Sequence, residues 1–222
     1  HSALGSTKAI TEKTTYDLVG RVRNSFHQYG TDQNDEKWIS HNKYTIEDEL
    51  MQKQLGVNSI NNALQLVDYE YLSNGFLSKI NPTLSGNDLF KLELNYDQPI
   101  QGVSGINVQK NGNISQLVWQ VQGGKEKTYG FNYDYLNRLT MSKSATFSIG
   151  SRTSTEDLND FNTGYSYDER GNILGLERNG LLSDGTHDEI DELVYNGGNT
   201  YGNSNKLITV VDNTSSANRA KG

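Results

Sequence analysis

The chain has 222 residues, a formal net charge of −7 and a hydrophobic fraction of only 33%. It has no cysteine, which excludes disulfides, thiolate nucleophiles and cysteine-based metal centres. The acidic balance argues against nucleic-acid binding, and no apolar run approaches the roughly 20 residues that span a bilayer.

Glycine, tyrosine and proline usage indicates the fold class. The chain has 22 Gly, 13 Tyr and only 2 Pro, a composition typical of many short strands joined by tight turns. We therefore predict an all-β protein. Because so little of the chain is hydrophobic, its core is expected to be thin.

Period-two alternation, broken by short polar turns and then resumed, predicts β-hairpins along the chain. Four segments align: "TTYDLVGRVRNSF" (14–26), "YEYLSNGFLSKI" (69–80), "FNYDYLNRLTMSKS" (131–144) and "YSYDERGNILGLER" (165–178). Each has a Tyr, an Asp or a substitute, and a Gly or Asn before an aliphatic strand. A single hairpin cannot bury its apolar face alone, so neighbouring hairpins are predicted to pair edge to edge.

The turn residues of these copies have predicted structural roles. The Gly or Asn is expected to adopt positive φ, and the Asp to accept a hydrogen bond from a backbone N–H two residues on. The Tyr ring is expected to lie on the sheet with its hydroxyl at the wet edge. The predicted repeat-turn residues are Tyr16, Asp17, Gly20, Tyr69, Tyr71, Gly75, Tyr133, Asp134, Asn137, Tyr165, Tyr167, Asp168 and Gly171.

Residues 43–55 fit two structures. Thr45 with Asp48 could cap an amphipathic helix, but the strand-like neighbours favour a hairpin that turns at Glu47 and Asp48.

The remaining segments give simpler predictions. Residues 112–133 predict a hairpin that turns at Gly123 and Gly124, and residues 192–211 a strand, an enlarged loop and a strand. Residues 59–71 and 83–92 are each predicted to be a loop or short turn before a strand, and 148–164 has the composition of an exposed loop.

The aligned segments resemble the YD or RHS repeat, whose usual form is Tyr-x-Tyr-Asp-x-x-Gly-Arg-Leu. Residues 131–139 and 165–173 match that form almost residue for residue, and the resemblance is strong over 112–212 and weaker upstream. It implies a curved antiparallel sheet of consecutive hairpins, a segment of a hollow shell such as those of bacterial toxin complexes, polymorphic toxins and teneurins. The implied function is a non-catalytic scaffold that encapsulates, carries or displays another polypeptide, in toxin delivery or contact-dependent competition. The implied location is extracellular or at the cell surface.

We expect a single array over 1–222, with flexible ends at 1–10 and 213–222. The first residue is histidine, so we expect a piece of a larger polypeptide. Its expected partners are the rest of that parent or an encapsulated C-terminal cargo. Exposed sheet edges in such a fragment also predict an edge-to-edge homodimer.

The sequence predicts no catalytic site, metal or cofactor. Its acids recur one per turn, whereas glycoside hydrolysis needs two that converge. The acidic stretch 183–192 lacks the ligand spacing of an EF-hand and is predicted to be a solvated loop, as is the weaker stretch 31–36. The four histidines share no metal-ligand spacing; they are His1, His27, His41 and His187.

The alternative function is a cell-surface carbohydrate-binding or adhesion module with a glycan partner. Its candidate sugar contacts are Trp119 and Trp38, because aromatic faces suit sugar rings. Trp119 lies in the middle of a predicted strand, where a tryptophan also fits packing between strands.

Overall fold

A computed structural model describes residues 9–30, 36–59, 62–98, 100–199 and 205–215. Within these residues the regular structure is β-strand apart from one short 3-10 turn at Asn196–Gly198. The strands pair antiparallel with their neighbours in the chain, so the prediction of an all-β array of consecutive hairpins is confirmed. The strands are β1 (Ile10–Tyr16), β2 (Val22–Tyr29), β3 (Glu36–Tyr44), β4 (Leu50–Ser59), β5 (Asn62–Tyr71), β6 (Leu77–Ile80), β7 (Phe90–Asn95), β8 (Gln116–Val121), β9 (Lys127–Tyr133), β10 (Leu139–Ser148), β11 (Ser151–Glu156), β12 (Thr163–Tyr167), β13 (Ile173–Leu181), β14 (His187–Tyr195) and β15 (Val210–Asp212).

The chain divides into two compact units, His1–Glu93 and Leu94–Gly222. In the first unit the strands hydrogen-bond in chain order from β1 to β7. In the second unit the order is β8, β9, β10, β12, β13, β14 and β15, while β11 pairs with β10 beside this path. Of the ends expected to be flexible, 1–10 and 213–222, residues 1–8 and 216–222 lie outside the described residues, as does the stretch 31–35.

A register shift recurs where a strand enters a turn. It falls next to Tyr16 in β1, Tyr44 in β3, Tyr71 in β5 and Tyr167 in β12. A bulge of this kind bends a strand and changes the direction of its side chains. Each of these tyrosines therefore occupies an irregular position, which the simple alternation of the sequence does not show.

Residues 43–55 and 112–133 both form hairpins. Residues 43–55 adopt the hairpin and not the helix: β3 and β4 are joined by a turn in which Asp48 has φ 68. The hairpin at Gly123 and Gly124 is confirmed, with the Gly124 N–H donating to the Val121 carbonyl at 3.0 Å. Strands β14 and β15 likewise pair across the predicted enlarged loop.

Two segments contain more strand than predicted. The strand expected at the end of 59–71 begins already at Asn62, as β5, and 148–164 contains β11, which pairs with the end of β10 through a turn at Gly150. The loop prediction for 83–92 is confirmed as far as β7, which starts at Phe90. Composition failed at β11 because its Ser and Thr side chains stay largely in water, while its backbone pairing needs no apolar residue.

The core is thin, as predicted, and among the described residues its buried apolar side chains all lie in the second unit. The buried apolar residues within the described ranges are Val103, Val118, Ala145, Phe147 and Leu182. Buried polar residues outnumber them; these are Ser40, His41, Gln54, Asn81, Ser115, Gln116, Thr128, Ser142, Ser144, Thr146, Asp168 and Thr214. Hydrogen bonding, more than apolar burial, must therefore hold much of the array together.

The long segment between β7 and β8 covers one face of the second unit. Ile106 from this segment packs so closely on Gly130 of β9 that a Cβ at position 130 would lie 2.5 Å from Ile106 Cγ1. Gln116 of β8 accepts from the Gln101 backbone N–H at 3.1 Å and donates to the Thr128 hydroxyl at 3.0 Å. These contacts hold the segment against the sheet, and Val103 of the same segment is buried there.

Candidate functional site

The predicted turns share one backbone geometry. In turn 17–21 the Asp17 N–H donates to the Arg21 carbonyl at 2.9 Å, and the Gly20 N–H donates to the Asp17 carbonyl at 3.2 Å. The fourth residue has positive φ, as in Gly20 at 89°. The same two bonds close turns 45–49, 72–76, 134–138, 168–172 and 182–186.

The turn aspartates hold the backbone. Asp168 Oδ1 accepts from the Arg170 N–H at 2.9 Å and the Asn172 N–H at 2.8 Å. Asp17 and Asp134 make the equivalent bonds two and four residues on. Asp168 is only 4% exposed. Its carboxylate is thus committed to the turn and closed to a substrate.

An arginine that was not among the predicted site residues joins neighbouring turns. Arg138 Nε donates to Asp134 Oδ2 within its own turn at 2.6 Å. Its Nη1 donates to the Asp168 carbonyl of the next turn at 2.7 Å. The signal was present in the sequence, because the Arg of the repeat form follows the positive-φ residue.

Arg21 does the same in the first unit. Its Nε donates to Asp17 Oδ2 at 2.6 Å, and its Nη1 donates to Asp48 Oδ1 at 2.6 Å and to the Thr45 carbonyl at 3.3 Å. Burial of the Asp17 carboxyl would raise its pKa, but the Arg21 backbone N–H and guanidinium outweigh that effect and lower it. The pKa of Asp134 is lowered for the same reasons, so both carboxylates are charged acceptors and not proton donors at neutral pH.

The tyrosine before four of these turns bonds backward to the chain that precedes it in the sheet. The Tyr167 hydroxyl donates to the Leu139 carbonyl at 2.7 Å. Three more bonds have the same form, from Tyr44 to Val22 at 2.8 Å, Tyr71 to Leu50 at 3.1 Å and Tyr133 to Ile114 at 2.8 Å. The hydroxyls of Tyr71, Tyr133 and Tyr167, which the sequence predicts at the wet edge, thus bond to a carbonyl that the neighbouring hairpin brings within reach.

The arginine and the following tyrosine also stack. Arg138 Cζ lies 4.7 Å from the Tyr167 ring centroid, and Arg21 Cζ lies 4.6 Å from that of Tyr44. Burial raises the pKa of the Tyr167 hydroxyl, and the neighbouring Tyr165 adds to the increase. The hydroxyl therefore stays protonated and remains a hydrogen-bond donor at neutral pH.

We call this arrangement the turn ladder: the Asp and Arg of one turn with the Tyr and backbone of the next. It comprises Asp17, Arg21, Tyr44 and Tyr71 in the first unit and Tyr133, Asp134, Arg138, Tyr167 and Asp168 in the second.

The other predicted repeat residues lie beside the ladder. Tyr165 stacks on Tyr167 with ring centroids 6.5 Å apart, and Tyr69 pairs with Ile80 across β5 and β6. Asn137, Gly75 and Gly171 have φ of 63°, 82° and 90°. Tyr16 is 60% exposed. It occupies the same position in the repeat as Tyr71, Tyr133 and Tyr167, but it is not packed as they are.

The two tryptophans have different surroundings and belong to different units. Trp119 of β8 stacks on Tyr129 of β9, with ring centroids 5.5 Å apart and an interplanar angle of 4°. Trp38 of β3 stacks on Phe26 at 5.5 Å, and its Nε1 is buried without a hydrogen-bond partner among the described residues. A sugar hydroxyl has no access to that nitrogen, and of the two predicted contacts it is Trp119 that lines a cleft.

The acidic stretch 183–192 is mostly strand and not a loop, because β14 begins at His187. Among the described residues, no group of three or more His, Asp or Glu side chains is arranged to hold a metal ion. His27 lies 3.4 Å from Glu12, His187 lies 3.5 Å from Asp160, and His41 is buried.

Within the described ranges we find no helix that is long and apolar enough to cross a membrane.

Comparisons with known proteins give structural likeness at low identity. No family model and no curated protein matches the chain. The crystal structure of TcdB2-TccC3-Cdc42 is similar over 92% of this chain, with 11% identity and a TM-score of 0.46. That of TcdB2-TccC3 without its hypervariable C-terminal region is similar over 92%, with 10% identity and a TM-score of 0.45. The chain spans 10% of the length of the matched chain in each of these two structures.

Proposed function

We propose that the chain is a non-catalytic structural segment of an RHS/YD-repeat protein. It forms part of a β-shell or surface scaffold that encapsulates, carries or displays another polypeptide, as in toxin delivery or contact-dependent competition. The proposed location is outside the cell or at its surface, and the proposed partners are the rest of a larger parent polypeptide and an encapsulated cargo.

The observation that carries the proposal is the turn ladder. Its Tyr, Asp and Arg side chains are residue types that active sites use. They bond instead to backbone groups of their own turn or of the neighbouring one. Such bonds fix one hairpin against the next without a large apolar core. This is the requirement for an extended wall built from repeats.

The sheet edge supports assembly with further strands. In β1, which pairs only with β2 among the described residues, six of the seven side chains are exposed. A strand edge presents unpaired N–H and C=O groups that pair readily with another strand. We propose that this edge meets another hairpin of the parent, or a second copy when the chain is isolated.

The test is protection of a carried polypeptide. The full-length parent protein is purified in wild-type form and with Arg138→Ala plus Tyr167→Phe, and each is digested with a limiting amount of protease. Mass spectrometry then follows the survival of any co-purifying or C-terminal polypeptide. The wild type is expected to protect it for longer than the ladder-broken variant, since loosened hairpins open more often.

Tyr16→Phe is the matched control, because Tyr16 is exposed and its loss leaves the ladder intact. Equal digestion in wild-type and ladder-broken proteins would reject a carrying role.

A further inference from the structure

A cleft of about 590 Å³ lies on the second unit, on the side of β8 that carries Trp119. Trp119, Tyr129 and Ser144 lie on its strands β8, β9 and β10. Asp160 and Phe161 line it from the segment between β11 and β12. Its volume falls within the range of small-molecule sites in proteins, about 300 to 1,000 Å³.

The wall of the cleft is held in place by Ser144. The Phe161 N–H donates to Ser144 Oγ at 2.8 Å, and the Asn159 N–H donates to the Ser144 carbonyl at 3.0 Å. The Ser144 N–H in turn donates to Asn162 Oδ1 at 2.9 Å. Because these bonds already order the wall, a ligand would not have to order it on binding.

Trp119 offers the cleft an aromatic surface. Three rings follow one another, with Tyr129 stacked on Trp119 at 5.5 Å and on Phe131 at 6.2 Å. Tyr129 thus has a ring on each side. Trp119, at the end of the row, keeps one face without an aromatic neighbour among the described residues.

The charges that line the cleft balance. Lys125 and Lys127 are opposed by Asp157 and Asp160, and His187 contacts both Asp160, at 3.5 Å, and the Phe161 ring, at 4.9 Å. Lys125 also pairs with Glu156 at the rim. A lining without net charge favours neither an anion nor a cation. Its carboxylates and ammonium groups instead offer acceptors and donors for neighbouring hydroxyl groups.

We propose that this cleft binds a neutral saccharide, whose apolar ring face stacks on the Trp119 ring that lines it. Hydroxyl groups of the same sugar then bond to Asp160 and Lys127. The site is separate from the turn ladder and does not depend on the scaffold function. It would make this segment of the wall a surface-recognition element as well.

The test uses the intact chain on an array of neutral hexose and N-acetylhexosamine glycans, acidic glycans and control peptides. The best neutral glycan is then titrated by NMR, with saturation transfer between the Trp119 indole protons and the sugar. The chain has two tryptophans, so a Trp38→Phe background isolates the signal of Trp119. That variant is expected to bind like the wild type.

Trp119→Ala is expected to weaken binding about two- to twelvefold, the change that corresponds to the roughly 0.5 to 1.5 kcal/mol of an aromatic stacking contact. Asp160→Asn, which keeps the shape of the side chain, is expected to weaken it severalfold while circular dichroism stays unchanged. Asp160→Asn keeps the test valid if the Trp119 variant misfolds.

Three results would overturn the proposal. These are no neutral glycan bound at millimolar concentration, a preference for acidic glycans or peptides, and equal binding by the wild type and the folded Asp160→Asn variant.

Discussion

The two units share one turn design but differ in what lies beneath it. Arg21 with Tyr44 in the first unit and Arg138 with Tyr167 in the second make almost the same contacts. The five buried apolar side chains of the described residues nevertheless belong to the second unit, where the segment between β7 and β8 covers one face. The turn ladder therefore does not require an apolar core, which is how so polar a chain forms a sheet.

The described part of the first unit has a polar row in place of such a core. Thr15, Asn24, His41 and Gln54 are cross-strand partners on β1 to β4. Asn24 Nδ2 donates to the Thr15 hydroxyl at 2.8 Å, and Asn24 Oδ1 lies 2.7 Å from His41 Nδ1. With Asn24 Oδ1 as acceptor, the neutral ring carries its proton on Nδ1. The first unit should therefore respond to pH and the second to core deletion.

The largest effect is expected from Phe147→Ala. Phe147 is 3% exposed and packs against Gly102, so its deletion leaves a cavity and should cost about 3 to 5 kcal/mol. Urea unfolding followed at second-unit amides by NMR measures it. Ile46→Ala, at a side chain that is 95% exposed, should change stability by less than about 0.5 kcal/mol. Similar losses of stability for Phe147→Ala and Ile46→Ala would contradict the claim that the buried apolar core lies in the second unit.

Gly171→Val should cost about 1 to 3 kcal/mol, because it forces φ near 90° on a β-branched residue. A Cβ there would meet no atom closer than 4.0 Å, so the cost is conformational and not steric. Asn137 occupies the same turn position with φ 63°. Gly171→Asn should therefore be milder in the same thermal unfolding experiment, and equal losses would contradict a requirement for positive φ.

Acid should weaken the first unit through His41. Burial lowers the pKa of this ring, and the cations Arg23 and Lys43 lower it further. Its stabilisation is complete above the unfolded pKa of about 6.5 and is lost as the pH falls below it. One proton limits the slope to about 1.4 kcal/mol per pH unit.

Urea unfolding between pH 7.5 and 5.5 measures this slope at first-unit amides. His41→Gln should flatten it, whereas His27→Gln should leave it in place. A slope unchanged by His41→Gln would show that the histidine is not its source.

Tyr167→Phe should cost about 0.5 to 1.5 kcal/mol, because it leaves the Leu139 carbonyl without its 2.7 Å hydrogen bond. Tyr16→Phe is the control at the equivalent exposed position and should be neutral in chemical denaturation. Equal costs would mean that the hydroxyl bond contributes nothing.

The smallest effect is expected from Asp168→Asn, at less than about 1 kcal/mol. Asn retains an oxygen to accept from the Arg170 and Asn172 N–H groups and loses only the oxygen that accepts from Asn172 Nδ2 at 2.8 Å. Asp168→Ala, which removes these three bonds, should cost more in the same denaturation series. The reverse order would show that the charge, and not the turn bond, matters.

The local features of the turns could be predicted from sequence, whereas the contacts between turns could not. Gly171 and Asp168 announce a turn because few residue types tolerate positive φ or bridge a backbone N–H nearby. The bond from Tyr167 to Leu139 joins residues 28 apart. Its partner is set by how the hairpins pair, which periodicity does not reveal.

The missed strands have a related cause. β11 contains only polar side chains in "SRTSTE". It forms because β10 continues beyond its pairs with β12, so the edge of the last residues of β10 is open to another strand. The cleft beside Trp119 also depends on tertiary structure, since its wall comes from the segment that follows β11. The sequence suggested Trp119 as a sugar contact, but it did not show that Asp160 and His187 line the same cleft in the folded chain.

A double-mutant cycle between Arg138 and Tyr167 tests most directly whether side chains of adjacent turns hold the hairpins together. Arg138→Ala, Tyr167→Leu and the double variant are compared by urea unfolding, beside a control cycle of Arg138→Ala with Tyr16→Leu. We predict a coupling of about 1 kcal/mol for the ladder pair, from the guanidinium 4.7 Å above the ring. The control coupling should lie near zero, and a ladder coupling below about 0.3 kcal/mol would contradict the account.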